Sequence, residues 1–132
     1  MKFLALDIGT RRTGVAYLDE EIGIPLPLEM IVHASCKDLI AAVQKILRAR
    51  RIDCVIVGLP LLPSGAQGAQ AAISRGVGEL LKRGGWTVQY VDERYSTPRR
   101  SAHAKTLLAF HVDGDAAAAC ALLEVLPPRT AQ

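Results

Sequence analysis

Apolar and polar positions alternate between two periods along this chain, and the switches mark its elements. Residues 3–6 form a short apolar run that stops at Asp7-Ile8-Gly9-Thr10, where the glycine signals a turn. A second strand-like run, residues 13–18, follows at hairpin distance. Pro25 and Pro27 mark a loop, and residues 29–32 supply a third strand. The first helix opens at Ser35, whose spacing to Asp38 resembles a capping box, and Leu39, Ile40, Val43, Ile46 and Leu47 share one helical face. Residues 54–57 are continuously apolar and end at Gly58-Leu59-Pro60, as a strand buried on both faces should. A turn at residues 63–65 leads to a second helix expected to turn Ile73, Val77, Leu80 and Leu81 inward, before it stops at Gly84-Gly85. Residues 87–91 form another strand that delivers Asp92-Glu93. Thr97-Pro98 opens a third helix, and a last one starts near Asp115 and ends at Pro127-Pro128.

Leading strands on short loops predict an antiparallel meander, and the later helix-spaced strands predict parallel pairing. The expected fold class is α/β: a mixed five-stranded sheet with helices on its faces, forming one domain over residues 1–132. Half of the residues are hydrophobic and 22% are charged, a globular profile that excludes disorder. A net charge of +3 is compatible with a polyanionic partner without demanding one. Cys36, Cys54 and Cys120 are odd in number and lack zinc-type spacing, which points to a reduced compartment. With neither a signal-peptide pattern at Met1-Lys2-Phe3-Leu4 nor a bilayer-length apolar run, the expected location is the cytoplasm.

Three acids occupy positions where chemistry gathers. Asp7 follows the first predicted strand, Glu93 follows the fifth, and Asp115 opens the last helix. A mixed sheet can bring those strand ends side by side, and carboxylates so placed repel one another unless a cation sits between them. Hard oxygen donors without histidine or cysteine favour Mg²⁺ or Mn²⁺, which can activate water against a phosphodiester. Taken singly, each acid also fits a turn or a helix cap.

The local wording goes further. Leu4-Ala5-Leu6-Asp7-Ile8-Gly9-Thr10-Arg11-Arg12-Thr13-Gly14, then Val55-Ile56-Val57-Gly58-Leu59-Pro60, then Asp92-Glu93-Arg94-Tyr95-Ser96-Thr97, and finally Asp115-Ala116-Ala117-Ala118 with Leu122-Leu123-Glu124 behind it, follow one another across nearly the whole chain. In that order and spacing they resemble the YqgF family, also called RuvX. The resemblance implies a ribonuclease-H-like fold related to the RuvC resolvase, and a metal-binding catalytic triad carried here by Asp7, Glu93 and Asp115. It also implies either junction resolution or maturation of the small-subunit ribosomal RNA precursor. Alignment on the alanine run favours Asp115 over Asp113 as the third ligand. Two features depart from the family pattern: residues 107–114 lack the basic stretch often found before the third acid, and Leu61-Leu62 replace a polar residue after Gly58-Leu59-Pro60.

The placement of basic residues fits a nucleic-acid partner, RNA or branched or single-stranded DNA. Arg11 and Arg12 sit in the turn beside Asp7, and Arg94, Arg99, Arg100 and Lys105 occupy a stretch without acids. A solvated helix face is the competing reading for Arg99, Arg100 and Lys105. Two rival functions share these motifs. One is a non-catalytic nucleic-acid-binding or ribosome-associated module. The other is a single-domain relative of the ATP-using sugar kinases and actin, whose first phosphate loop Asp7-Ile8-Gly9-Thr10 resembles. No isologous surface is evident in the pattern, so a monomer or weak homodimer is expected.

Overall fold

A computed structural model describes residues 1–93 and Ala119. β1 (Lys2–Ile8) and β2 (Arg12–Asp19) form the predicted hairpin, antiparallel from Lys2 opposite Asp19 to Ile8 opposite Thr13. The Gly9 amide donates to the Arg12 carbonyl at 2.9 Å, closing the turn between them. β5 (Cys54–Leu59) pairs parallel with β1, and β6 (Val88–Asp92) pairs parallel with β5. Every residue of β5 is buried, which is why its sequence is apolar without alternation.

Among the described residues the sheet has six strands where five were expected. Its third position is filled by two short pieces, β3 (Leu26–Pro27) and β4 (Ile31–Val32), both antiparallel to β2. Pro27, read from the sequence as a loop marker, lies within β3. An edge strand tolerates a residue that cannot donate to the ladder. Leu28 then donates to the Val15 carbonyl at 2.9 Å before the chain leaves the ladder.

Both described helices cover one face. α1 (Cys36–Ala49) is capped by Ser35, whose hydroxyl accepts from the Asp38 amide at 3.2 Å, and it buries Leu39, Val43 and Leu47. α2 (Ala69–Arg83) buries Ala71, Ser74, Val77, Gly78 and Leu81. The expected inward positions Ile73 and Leu80 are instead 39% and 44% exposed. The inward stripe is made of small residues because the helix lies close on the sheet: a side chain at Gly78 would strike Tyr90 of β6. These helices, with Leu4, Leu6, Ile8, Val55 and Val57, make the larger core cluster. Phe3, Ala5, Ala16, Cys54 and Ile56 face the other way, where Ala119, which is helical, is buried among them. Among the described residues no helix is long and apolar enough to cross a membrane.

Candidate functional site

Strand parity sets which side chains meet. Residues 3, 5 and 7 of β1 alternate onto the face that carries Ala119, as do residues 54, 56 and 58 of β5. Asp7 is therefore one step inside β1, opposite Gly14, not beyond its end as the sequence suggested. Glu93 follows β6 directly, two residues past Val91, which packs on that same face. Leu6 pairs with Val57, so Asp7 stands level with Gly58, and Gly58 pairs with Val91. The two acids thus approach each other across a glycine. A Cβ on Gly58 would lie 2.9 Å from both Cγ and Cδ of Glu93 and would overlap Oε1. Gly58 is the notch that lets the Glu93 carboxyl lie over the central strand.

The Asp7 and Glu93 carboxyls are hydrogen-bonded to each other. Burial, that hydrogen bond, and the charges of Asp7 and Asp92 push Glu93 up to about 9. Two carboxyls this close form a donor set suited to a divalent cation. They line one cavity of about 490 Å³ at the carboxyl ends of the strands, together with Gly9, Thr10, Arg11, Arg12, Pro60 and Gln70. Among the described residues neither histidine nor cysteine lines it, and an all-oxygen set is the environment that Mg²⁺ and Mn²⁺ prefer. Among the described residues no three acidic, histidine or cysteine side chains come together.

Of the residues singled out from sequence, the structure brings together Asp7, Glu93, Arg11 and Arg12. Asp115, Asp113, Arg94, Arg99, Arg100 and Lys105 lie outside the described residues. Sequence reasoning missed Gln70, whose Nε2 donates to the Ile8 carbonyl at 2.8 Å and ties the start of α2 to the end of β1. A single amide in the first turn of a helix carries no periodic signal. Gly58 did carry one, since a glycine inside a strand pattern marks a close approach, but it was read only as the strand's end. His33, without a ligand pattern in sequence, is a buried partner of the Thr13 hydroxyl at 2.9 Å.

A family model described as RuvX, Holliday junction resolvase, matches residues 1–126. The chain belongs to the RuvX family. A relative from Anaeromyxobacter sp. (strain Fw109-5) is 34% identical over 125 residues, covering 89% of this chain and 91% of that protein. Another, from Chromobacterium violaceum, is 39% identical over 95 residues, covering 71% and 69%. Both carry the provisional name pre-16S rRNA nuclease. Among solved structures, Thermus thermophilus RuvC bound to a Holliday junction substrate superposes with a TM-score of 0.68 at 14% identity, over 92% of this chain and 89% of that one. The Fowlpox virus resolvase with junction DNA gives 0.55 at 12% identity, over 96% and 100%. At such identities the likeness establishes the fold, which is the ribonuclease-H-like fold implied by the sequence motifs.

Proposed function

We propose that this RuvX chain is a divalent-metal-dependent endonuclease that hydrolyses phosphodiester bonds, acting on ribosomal RNA precursor in preference to symmetric junction resolution. The observation that carries this reading is the hydrogen-bonded Asp7–Glu93 pair, in one cavity with Arg11 and Arg12. Residues 1–132 act as one nuclease domain in the cytoplasm, as a monomer or weak homodimer.

Asp7 and Glu93 are two of three metal ligands, and Asp115 is the third. The run Asp115-Ala116-Ala117-Ala118 with Glu124 behind it, inside the span matched by the family model, supports that assignment. Mg²⁺ or Mn²⁺ held there would supply Lewis acidity and offset charge on the phosphate. Glu93 would hold the ion in its ionised form. Arg11 and Arg12, both exposed at the cavity rim, hold phosphates beside the scissile one. Arg94, Arg99, Arg100 and Lys105 extend that basic track.

The relatives' name favours RNA for this chain. The non-catalytic alternative leaves unexplained why a binding module would bring two carboxyls into contact in one cavity. The test is Mg²⁺- and Mn²⁺-dependent cleavage of structured RNA, single-stranded DNA and a four-way junction, with light scattering alongside. RNA cleaved faster than the junction, by a chain that is not a stable dimer, is the expected result. Paired symmetric nicks made by a stable two-fold dimer would return junction resolution to first place.

A further inference from the structure

The Ile8 carbonyl can only accept a hydrogen bond, so the Gln70 amide that meets it at 2.8 Å must present its NH₂ group. That contact fixes the side chain and leaves its other arm, Oε1, as an acceptor with no protein partner among the described residues. Gln70 lines the cavity that holds Asp7, Glu93, Arg11 and Arg12. The acids are reserved for cations and the arginines donate to phosphate oxygens. Oε1 is a neutral acceptor held in place, and it calls for a neutral donor. The sugar-phosphate backbone of DNA has no O–H or N–H group to offer along the strand. RNA offers one per nucleotide, the ribose 2′-hydroxyl.

We propose that Gln70 is a specificity-determining residue whose Oε1 accepts a hydrogen bond from the ribose 2′-hydroxyl of a nucleotide in the Asp7–Glu93 cavity, so that the site prefers a ribose strand. The proposal rests on the reading that this cavity takes nucleic acid, and it names the feature of the strand that is sensed. The tether to Ile8 gives the contact its selectivity, because an amide free to flip would present NH₂ to the hydroxyl equally well. In DNA the acceptor returns to water, so the discrimination is that of one net hydrogen bond, roughly 2- to 12-fold in affinity.

The test is equilibrium binding by fluorescence anisotropy of two single strands identical in base sequence, uracil included, one with ribose and one with 2′-deoxyribose. No metal is added, so binding is read apart from cleavage. Wild-type protein is compared with Gln70→Leu, which loses both arms of the amide, and Gln70→Lys, which keeps an N–H for the Ile8 carbonyl and loses only the acceptor. The lysine raises affinity for both strands, so the ribose-to-deoxyribose ratio is the readout. Wild type should favour ribose, and the ratio should fall by roughly 2- to 12-fold in both variants. A ratio unchanged in Gln70→Lys would overturn the assignment while leaving the nuclease reading intact. Failure of the wild type to bind either strand, both without metal and with Ca²⁺ added, would overturn both.

Discussion

Placing a methyl group on Gly58 perturbs the acid pair without touching either acid. In Gly58→Ala the new Cβ would sit 2.9 Å from Cγ and Cδ of Glu93. Carbon atoms settle at about 3.5–4.0 Å, so the Glu93 side chain must retreat by roughly 0.6–1 Å. It can do so because it is the first residue after β6 and ends in a rotatable carboxyl. Leaving its rotamer costs about 0.5–1.5 kcal/mol. Replacing a strand glycine by alanine recovers about 0.5–1 kcal/mol. The two nearly cancel, and the melting temperature should move by no more than a few degrees. Catalysis should not be so forgiving, since a displacement of about 1 Å at a reacting centre costs on the order of 100-fold in rate. Single-turnover cleavage of a structured RNA, Mn²⁺ titration by calorimetry and a thermal melt read the three quantities on one preparation. A folded Gly58→Ala protein with weakened Mn²⁺ binding and a rate down by about 10- to 100-fold is expected. Wild-type rate and metal affinity in that variant would refute the reasoning, because Glu93 would then not need the position Gly58 allows it.

Gly78→Ala should behave in the opposite way. Its Cβ would meet Tyr90 Cε1 at 2.7 Å, and that ring is pinned by hydrogen bonds to Glu79 at 2.5 Å and to the Arg75 carbonyl at 3.2 Å. Overpacking there should cost about 1–3 kcal/mol in chemical denaturation and leave metal affinity untouched. For pH, the folded metal-free chain keeps the Glu93 proton up to about 9, whereas the unfolded chain releases it near 4.5. The Glu93 contribution to stability is thus fully present at low pH and declines as pH rises between those values; Glu93→Gln should flatten that decline in melts of the metal-free protein, and added Mg²⁺ should oppose it. If Arg11 and Arg12 contact phosphates, replacing both with alanine should flatten the log–log salt dependence of RNA binding by about 0.7–0.9 per lost contact, and an unchanged slope would assign them to the solvent.

Much of this architecture was legible because burial wrote it in hydrophobicity. β5 lies between β1 and β6 with both faces covered, so Val55-Ile56-Val57 is apolar without a break. α1 covers one face, so its stripe of Leu39, Val43 and Leu47 has helical spacing, and Ser35 announces its start. In α2, Val77 and Leu81 are inside as expected, whereas Ile73 and Leu80 are not, for a physical reason. Close approach to the sheet selects small residues, so Ala71, Ser74 and Gly78 are inside while Ile73 and Leu80 are left outside. The third strand position is split at residues 28–30, where the pairing with β2 lapses between Pro27 and Ile31. At the site, Asp7 and Glu93 were legible from their places at strand ends, and Arg11 and Arg12 from their turn. Gln70 was not, since its role depends on a carbonyl 62 positions away in sequence.

The most direct measurement is metal-dependent cleavage of a precursor-like ribosomal RNA by the wild-type chain and by Asp7→Asn, each first shown to be folded by its melt. Asparagine keeps the size of the side chain but brings no negative charge to a cation, and it removes one of the charges that push Glu93 up. Cleavage by the wild type in Mg²⁺ or Mn²⁺, lost on chelation and lost in an Asp7→Asn protein that melts no lower without metal, is the expected result. Undiminished cleavage by folded Asp7→Asn would contradict a centre built on the Asp7–Glu93 pair.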